Sequence, residues 1–223
     1  MSELNQGTNE ATPMKLVMDQ LPAVDVPYES PLNHADLDQI AEQGLQGGGV
    51  VFRELSLGLL TLRCSPSEEQ KQCLESILGL ALPTSPLTSI TQGQGDERVS
   101  VRWMSPDEWT IYLPQGQAFE LEKRIFAELD GHYSLVNVSG GYTVFELSGE
   151  KVVEVLKKST PIDFYDSEFP VGKVVSTIFA KTGATICRTE EQTYELLVRR
   201  SFADYLWLWL QDASQEYGLT VKV

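Results

Sequence analysis

The sequence is short of the residues on which most enzyme active sites depend. It has only two histidines, His34 and His132, and three widely spaced cysteines, Cys64, Cys73 and Cys187. A serine or cysteine nucleophile without a well-placed histidine lacks its usual general base. No C-x-x-C, H-E-x-x-H or cysteine–histidine cluster supplies metal ligands. We therefore expect no catalytic residue and no metal site in this chain, and we expect the cysteines to be reduced structural thiols.

Glycine-rich nucleotide motifs are also missing. The Gly93-x-Gly95 pair has no third glycine and no helix start after it, and the run Gly47–Gly49 precedes a predicted strand, whereas a dinucleotide-binding fingerprint follows one. Ser139, in N-V-S-G-G, misses the first glycine of a nucleophile elbow. We expect no nucleotide or other cofactor to be bound by this chain.

Positive charge is scarce as well. Lys and Arg number 17 against 32 Asp and Glu, which gives a formal net charge of −15. Binding to a phosphate backbone needs clustered cations, so nucleic acid is excluded as an expected partner. No apolar run approaches the roughly 18 residues of a membrane span, and no basic and apolar signal segment opens the chain. We expect a cytoplasmic protein with no membrane partner.

Acidic residues and prolines are concentrated at the start of the chain. The first 49 residues hold eight acids and one lysine, together with four prolines that break helices. We predict an acidic, Pro-rich N-terminal arm over residues 1–48, with at most a short helix from Asp36 to Gln43. A solvated, solubilising role and a specific docking role both remain open for this arm.

The remaining chain reads as one duplicated unit. Residues separated by 83 positions match in type, for example Ser65 with Ser148 and Phe119 with Phe202. Both halves predict the order strand–helix–strand–strand–helix, and we assign residues 49–133 and 134–223 to these two modules of one compact unit. The expected fold is α+β with a pseudo-twofold axis.

The spacing of apolar residues and the positions of Ser, Pro, Glu and Gly predict the individual elements. Ser65, Pro66 and Glu68 predict a helix start with Ser65 as N-cap, and Ser148 is expected to open the equivalent helix. The Pro-, Ser- and Gly-rich stretch 80–96 is expected to be a loop. A period near two predicts a strand from Thr193.

The segment after that strand is more apolar than one domain needs. With Ser201 as N-cap, a helix to about Ala213 places one set of apolar residues on a core face, namely Phe202, Tyr205, Leu206, Trp209 and Leu210. Trp207 and Leu208 then lie outside that stripe. We predict that they dock a partner.

Charged pairs offer weaker candidates. Arg199 and Arg200 could hold a carboxylate of a ligand or partner, or could neutralise the acidic surface of their own chain. The pairs Asp107–Glu108 and Glu190–Glu191 are sequence neighbours, which face opposite sides of a strand and cannot by themselves form an acid–base pair.

Several segments resemble the gamma subunit of heterotetrameric sarcosine oxidase. They are V-N-V-S-G-G-Y-T-V-F-E-L-S-G from Val136, T-P-I-D-F with F-P-V-G-K, T-I-F-A-K, R-W-M-S-P-D-E-W, E-S-P-L, and above all the block R-T-E-E-Q-T-Y-E-L-L-V-R-R-S-F-A-D-Y-L-W-L-W from Arg188 to Trp209. The resemblance covers about Pro31 to Trp209. In that family an Asp and an Arg often stand where this chain has Asn137 and Tyr142, which weakens any ligand role for that corner.

The resemblance implies a fold similar to the folate-binding domain of the glycine-cleavage T-protein. It also implies membership of a complex that oxidatively demethylates sarcosine to glycine and transfers the one-carbon unit to tetrahydrofolate. Its partners would be larger alpha and beta subunits and a small delta subunit, and FAD, FMN, NAD and tetrahydrofolate would belong to those other subunits. This chain would be a non-catalytic structural subunit.

There are two alternative functions. One is a folate-binding, aminomethyltransferase-like protein that acts on its own through the cleft between its modules. The other is an iron–sulfur-assembly factor of the same fold, but the K-G-C-Y-x-G-Q-E stretch of that group is missing, and Cys187 lies in A-T-I-C-R.

Overall fold

The computed structural model describes residues 29–43, 48–93 and 95–223. Most of the predicted N-terminal arm, residues 1–28 and 44–47, lies outside the described residues. Within the described part, helix α1 spans Leu37–Gln43 and confirms the predicted short helix.

The two halves repeat one order of elements. The first half contains β1 (Val50–Leu55), β2 (Leu57–Cys64), α2 (Glu68–Leu78), β3 (Ser89–Gln92), β4 (Val99–Ser105), β5 (Glu108–Pro114) and α3 (Ala118–Glu128). The second half contains β6 (Tyr133–Asn137), β7 (Tyr142–Ser148), α4 (Val152–Ser159), β8 (Val174–Phe179), β9 (Thr182–Glu190), β10 (Thr193–Arg199) and α5 (Ala203–Ser214), and β11 (Leu219–Lys222) ends the chain. The predicted α+β duplication is confirmed, and each half adds two strands to the predicted order.

The strands form two sheets with matching orders. Sheet A runs β11-β1-β7-β10-β9-β8, and sheet B runs β6-β2-β5-β4-β3. Each half gives its first strand to the other sheet, since β1 pairs with β7 (Phe52 opposite Leu147) and β6 pairs with β2 (Leu135 opposite Leu62). The boundaries predicted at residues 49 and 134 divide the sequence into its two repeats. They do not separate two independent structural units, because each half contributes a strand to the sheet of the other.

Successive side chains of a strand point to opposite faces of its sheet. One set packs into a core beneath the helices, and the other set lies between the two sheets. In β10, Tyr194, Leu196 and Val198 pack with α4 and α5 in the core of sheet A. The alternate residue Leu197 meets residues of the other sheet, such as Leu59 and Tyr112. The two sheets therefore lie face to face, with helices outside each. The seam is the space between the sheets, formed by Leu55, Leu59, Tyr112, Val144, Leu197 and the charged residues described below.

The described part of the N-terminal arm packs on the second half. Leu32 is buried in the core of sheet A, and α1 packs against β11. Arg200 donates to the backbone oxygen of Glu29, and His34 Nε2 lies 2.7 Å from Asp204 Oδ1. Residues 29–43 thus form a strap on sheet A.

The predicted helix starts were wrong by two or more residues. Ser67, and not Ser65, caps α2, because its hydroxyl accepts from the Gln70 amide while the Gln70 side chain accepts from the Ser67 amide. α4 starts at Val152 after Lys151, which provides no side-chain cap. The stretch predicted as a loop over 80–96 contains β3, whose Ile90 pairs with Val101 of β4.

Helix α5 begins later than predicted and buries a different set of residues. A 3-10 turn over Arg200–Phe202 precedes the helix, so Ser201 does not cap it. The buried face contains Ala203, Leu206, Trp207, Leu210, Ala213 and Ser214. This spacing of three and four residues is the usual amphipathic stripe, but it is rotated from the predicted one. Trp207 therefore belongs to the core.

Candidate functional site

A buried network of charged side chains joins the two sheets across the seam. Glu195 of β10 has 0% of its surface exposed, and both its carboxylate oxygens accept hydrogen bonds, one from Arg98 and one from Arg102. Arg98 Nη1 also lies 3.9 Å from Glu146 Oε2 on β7. The network therefore links sheet B to sheet A, and removal of one partner would leave an uncompensated buried charge.

Arg102 is the fully buried arginine of the network. Its guanidinium carbon stands 3.7 Å from the centroid of the Tyr112 ring, a stacking geometry typical of arginine. Burial by itself lowers the pKa of Arg102, but its neighbours, with the Glu195 carboxylate hydrogen-bonded to it, raise the pKa above its ordinary value. Arg102 is therefore a fixed cation.

Two groups in the seam that could act as nucleophile or base are held in their protonated forms. Burial raises the pKa of the Cys187 thiol, and burial raises the pKa of Tyr112 to about 12. A thiolate is the reactive form of cysteine, and Cys187 is 1% exposed. The thiol contacts Ser89 Oγ at 3.5 Å. These groups pack the seam and offer no activated nucleophile.

Glu146 makes the stability of the seam depend on pH. Burial and the neighbouring Glu195 carboxylate raise the pKa of Glu146, although Arg98 and Arg53 act in the opposite direction. A folded-state pKa above the unfolded one means that Glu146 contributes stability below the unfolded carboxyl pKa. That contribution is lost as the pH rises through the raised pKa.

We expect the free energy of unfolding of the wild-type chain, minus that of a Glu146→Gln variant, to increase as the pH falls from about 7 to about 5. Urea denaturation of both proteins at several pH values measures this difference. A difference that stays constant or decreases over that range would contradict the placement of Glu146 beside Glu195.

A cleft of about 290 Å³ lies between the two sheets and is lined by residues of both. Its polar lining consists mainly of hydroxyl side chains, those of Thr61, Thr110, Ser176, Thr177 and Thr185. Two charged residues also line it, Glu108, which pairs with Arg63 at 3.3 Å, and Arg199. No histidine, cysteine or lysine is among its lining residues. The cleft can bind through hydrogen bonds and one guanidinium.

The residues rejected as catalytic candidates have local partners. Ser139 Oγ donates to Asn137 Oδ1 at 2.7 Å and accepts from the Leu59 amide at 2.9 Å, which makes it a turn residue. Tyr142 lines the cleft. Asp107 binds Arg63 at 3.3 Å, as its neighbour Glu108 does.

Across residues 29–43, 48–93 and 95–223, no group of three or more His, Cys, Asp and Glu side chains could hold a metal ion. Within the same part of the chain, no helix is both long and apolar enough to cross a bilayer.

The four residues predicted to meet a partner lie in different surroundings. The prediction that Trp207 lies outside the core is wrong, because it is 3% exposed and its ring centroid stands 4.8 Å from that of Phe52. Leu208 is 57% exposed on the opposite face of α5. Arg199 reaches the cleft, and Arg200 binds the strap. The structure does not bring these residues together on one surface.

Comparison with known proteins gives consistent results. The model of the family described as sarcosine oxidase, gamma subunit family, matches residues 69–216. A "Sarcosine oxidase subunit gamma" from Corynebacterium sp. (strain P-1) is 31% identical over 85% of this chain and 91% of the relative. One from Arthrobacter sp. is 30% identical over the same shares.

Two solved structures resemble the fold. One, a heterotetrameric sarcosine oxidase from Corynebacterium sp. U-96 in complex with pyrrole 2-carboxylate, has a chain with a TM-score of 0.73 and 27% identity that covers 85% of this chain and 96% of that chain. The other, glycine cleavage system aminomethyltransferase T from Bartonella henselae, has a TM-score of 0.60 and 15% identity, covering 87% of this chain and 52% of that chain. The second likeness confirms the predicted T-protein-like fold. The family match and the identity to curated relatives together show that this chain belongs to the sarcosine oxidase gamma subunit family.

Proposed function

We propose that this chain is the non-catalytic, structural gamma subunit of a heterotetrameric sarcosine oxidase in the cytoplasm. Its partners are larger alpha and beta subunits and a small delta subunit. The complex oxidatively demethylates sarcosine to glycine and transfers the one-carbon unit to tetrahydrofolate. FAD, FMN, NAD and tetrahydrofolate are held by the other subunits, and this chain holds the assembly together.

The observation that carries the proposal is the filled seam. The space between two modules is a usual position for a ligand, and here the chain's own Arg102, Tyr112, Leu197 and Glu195 occupy it. The cleft beside it offers hydroxyls and no nucleophile–base pair. Such a lining suits contacts better than proton transfer or covalent chemistry.

An independent folate-binding, aminomethyltransferase-like function is not favoured. The family model and the curated relatives all belong to sarcosine oxidase gamma subunits. The aminomethyltransferase shares only 15% identity, and this chain covers 52% of it. The likeness to that enzyme therefore concerns the fold.

Cleft variants assayed in the assembled complex test the non-catalytic role. The chain would be co-expressed with the other subunits carrying Glu108→Gln or Thr110→Val, with Glu120→Gln on α3 as a surface control. We expect kcat for sarcosine-dependent oxygen consumption to be unchanged in all three complexes. A fall of about tenfold in kcat, equal to about 1.4 kcal/mol in the barrier, with subunit composition intact on gel filtration, would overturn the proposal.

A further inference from the structure

Sheet A extends beyond sheet B at strands β8 and β9. Ile178 pairs with Gly183 and Ser176 with Thr185 across these strands, so the four residues share one face. Thr185 lies on the same face as Cys187, which is buried in the seam. Ile178, however, is 61% exposed, and Ser176 is exposed as well. We call the uncovered residues Ser176, Ile178 and Gly183, with the adjacent Arg199, the overhang.

The backbone of the overhang is open to pairing. β8 is the last strand of sheet A, and in the described ranges its residues Val175–Phe179 pair only with β9, because the bridge of Thr88 to Lys173 ends just before them. An edge strand with an exposed apolar side chain favours pairing with another chain unless something covers it. The uncovered edge therefore leaves the exposed face of β8 and β9 accessible to an extended segment of another chain.

Gly183 opens the surface further. A Cβ built on this residue would meet no atom within 4 Å, so packing inside the chain does not require a glycine here. Nor is its φ in the left-handed range. Glycine inside a strand often marks the close approach of another backbone or a ligand. At Gly183 the space next to the strand is open to such an approach from outside the chain.

The charge of the overhang selects the chemistry of the approaching segment. Arg199 is exposed beside the hydroxyl-lined cleft, and its guanidinium makes no ion pair with the residues that the structure describes. A free guanidinium binds a carboxylate well, often through two hydrogen bonds. The chain as a whole is strongly acidic, with a net charge of −15. The guanidinium of Arg199, on an otherwise acidic protein, can therefore bind a carboxylate of an acidic partner segment.

We propose that the overhang docks an extended segment of a partner subunit of the oxidase. The segment crosses the exposed face of the sheet from the edge strand β8 towards β10. An apolar side chain covers Ile178, its backbone passes close to Gly183, and a carboxylate pairs with Arg199. This inference rests on the proposed subunit function and adds the place and chemistry of one contact.

Three variants of the full chain test the docking. Gly183→Val fills the open space without a clash and places a good strand former in β9, so the isolated chain should fold as well as wild type. Arg199→Glu reverses the charge, and Lys181→Glu makes the same change at an exposed residue of the nearby turn as the control. Each tagged variant would be co-expressed with the other subunits, and the recovered subunits quantified by mass spectrometry at increasing salt.

We expect Gly183→Val and Arg199→Glu to weaken association by about tenfold or more, as central interface residues do, and Lys181→Glu to bind like wild type. Outward amides of β8 should exchange rapidly in the isolated chain and slowly in the complex. Wild-type-like recovery of Gly183→Val, or protection of β8 in the isolated chain by its own N-terminal residues or a second copy, would overturn the inference while leaving the subunit function intact. Failure of the wild-type chain to recover any other subunit would overturn both.

Discussion

Replacing Glu195 with alanine is expected to destabilise the chain by about 3–5 kcal/mol, because it leaves two arginines facing each other without their shared carboxylate. Arg102 is fully buried and cannot turn to solvent, and its Nη2 has Glu195 as its partner. Small domains have only about 5–15 kcal/mol of stability in total. Urea denaturation of the isolated chain should therefore show a midpoint far below that of wild type.

A double variant separates the loss of the network from the loss of packing. In Arg102→Met with Glu195→Leu, both charges are replaced by apolar side chains of similar length, and such replacements are often neutral or stabilising. We expect most of the lost stability to return. The matched control is Glu190→Ala, an exposed carboxylate of the same hairpin, which should change stability little. A Glu195→Ala protein as stable as this control would contradict a buried Arg98–Glu195–Arg102 network.

Local patterns in the sequence were sufficient for the repeat and for most elements. β1 and β6 start 83 residues apart, as do β4 and β9, which is the offset that the matched residue types predict. Periodicity also located β10 correctly, because its Tyr194, Leu196 and Val198 alternate with residues facing the other way. Both features can be read from residue types along the sequence, without knowing which residues meet in space.

The seam could not be predicted in this way, because its contacts join residues about 90 positions apart. Arg102 and Glu195 each stand alone in an apolar strand, with Val101 and Trp103 or Tyr194 and Leu196 beside them. A charge inside a strand buried on both faces needs a partner. A lone charge in an apolar strand therefore indicates a buried pair. Only the structure, in which β4 faces β10 across the seam, identifies which residues form that pair.

The strand exchange is a second feature beyond local patterns. A repeat with β1 in its own module would have the same periodicity and the same offset. Only the pairing of Phe52 with Leu147, and of Leu62 with Leu135, shows that each module completes the sheet of the other.

The second large expected effect is a difference in stability between alanine variants of two adjacent residues, Trp207 and Leu208. Trp207→Ala should cost about 3–5 kcal/mol, since removing a large aromatic side chain leaves a cavity in a packed core. The indole contacts Phe52 and lies among the core residues of sheet A. Leu208→Ala, at a side chain that is 57% exposed, should stay within about 0.5 kcal/mol of wild type. Urea denaturation of the isolated chain measures both.

The burial of Trp207 and the exposure of Leu208 also determine which residue of α5 can be used to test assembly. A charge at position 207 would be buried in the core, so loss of partners in a Trp207→Glu protein would reflect unfolding. Leu208→Glu leaves the core intact, and a complex that no longer forms with this variant would place a partner on α5. If Trp207→Ala were as stable as Leu208→Ala, the helix would be rotated towards the orientation that spacing alone predicted, with Phe202 and Trp209 in the core. The apolar spacing of α5 is compatible with either rotation, and the packing of Trp207 against Phe52 in the core of sheet A distinguishes the observed one.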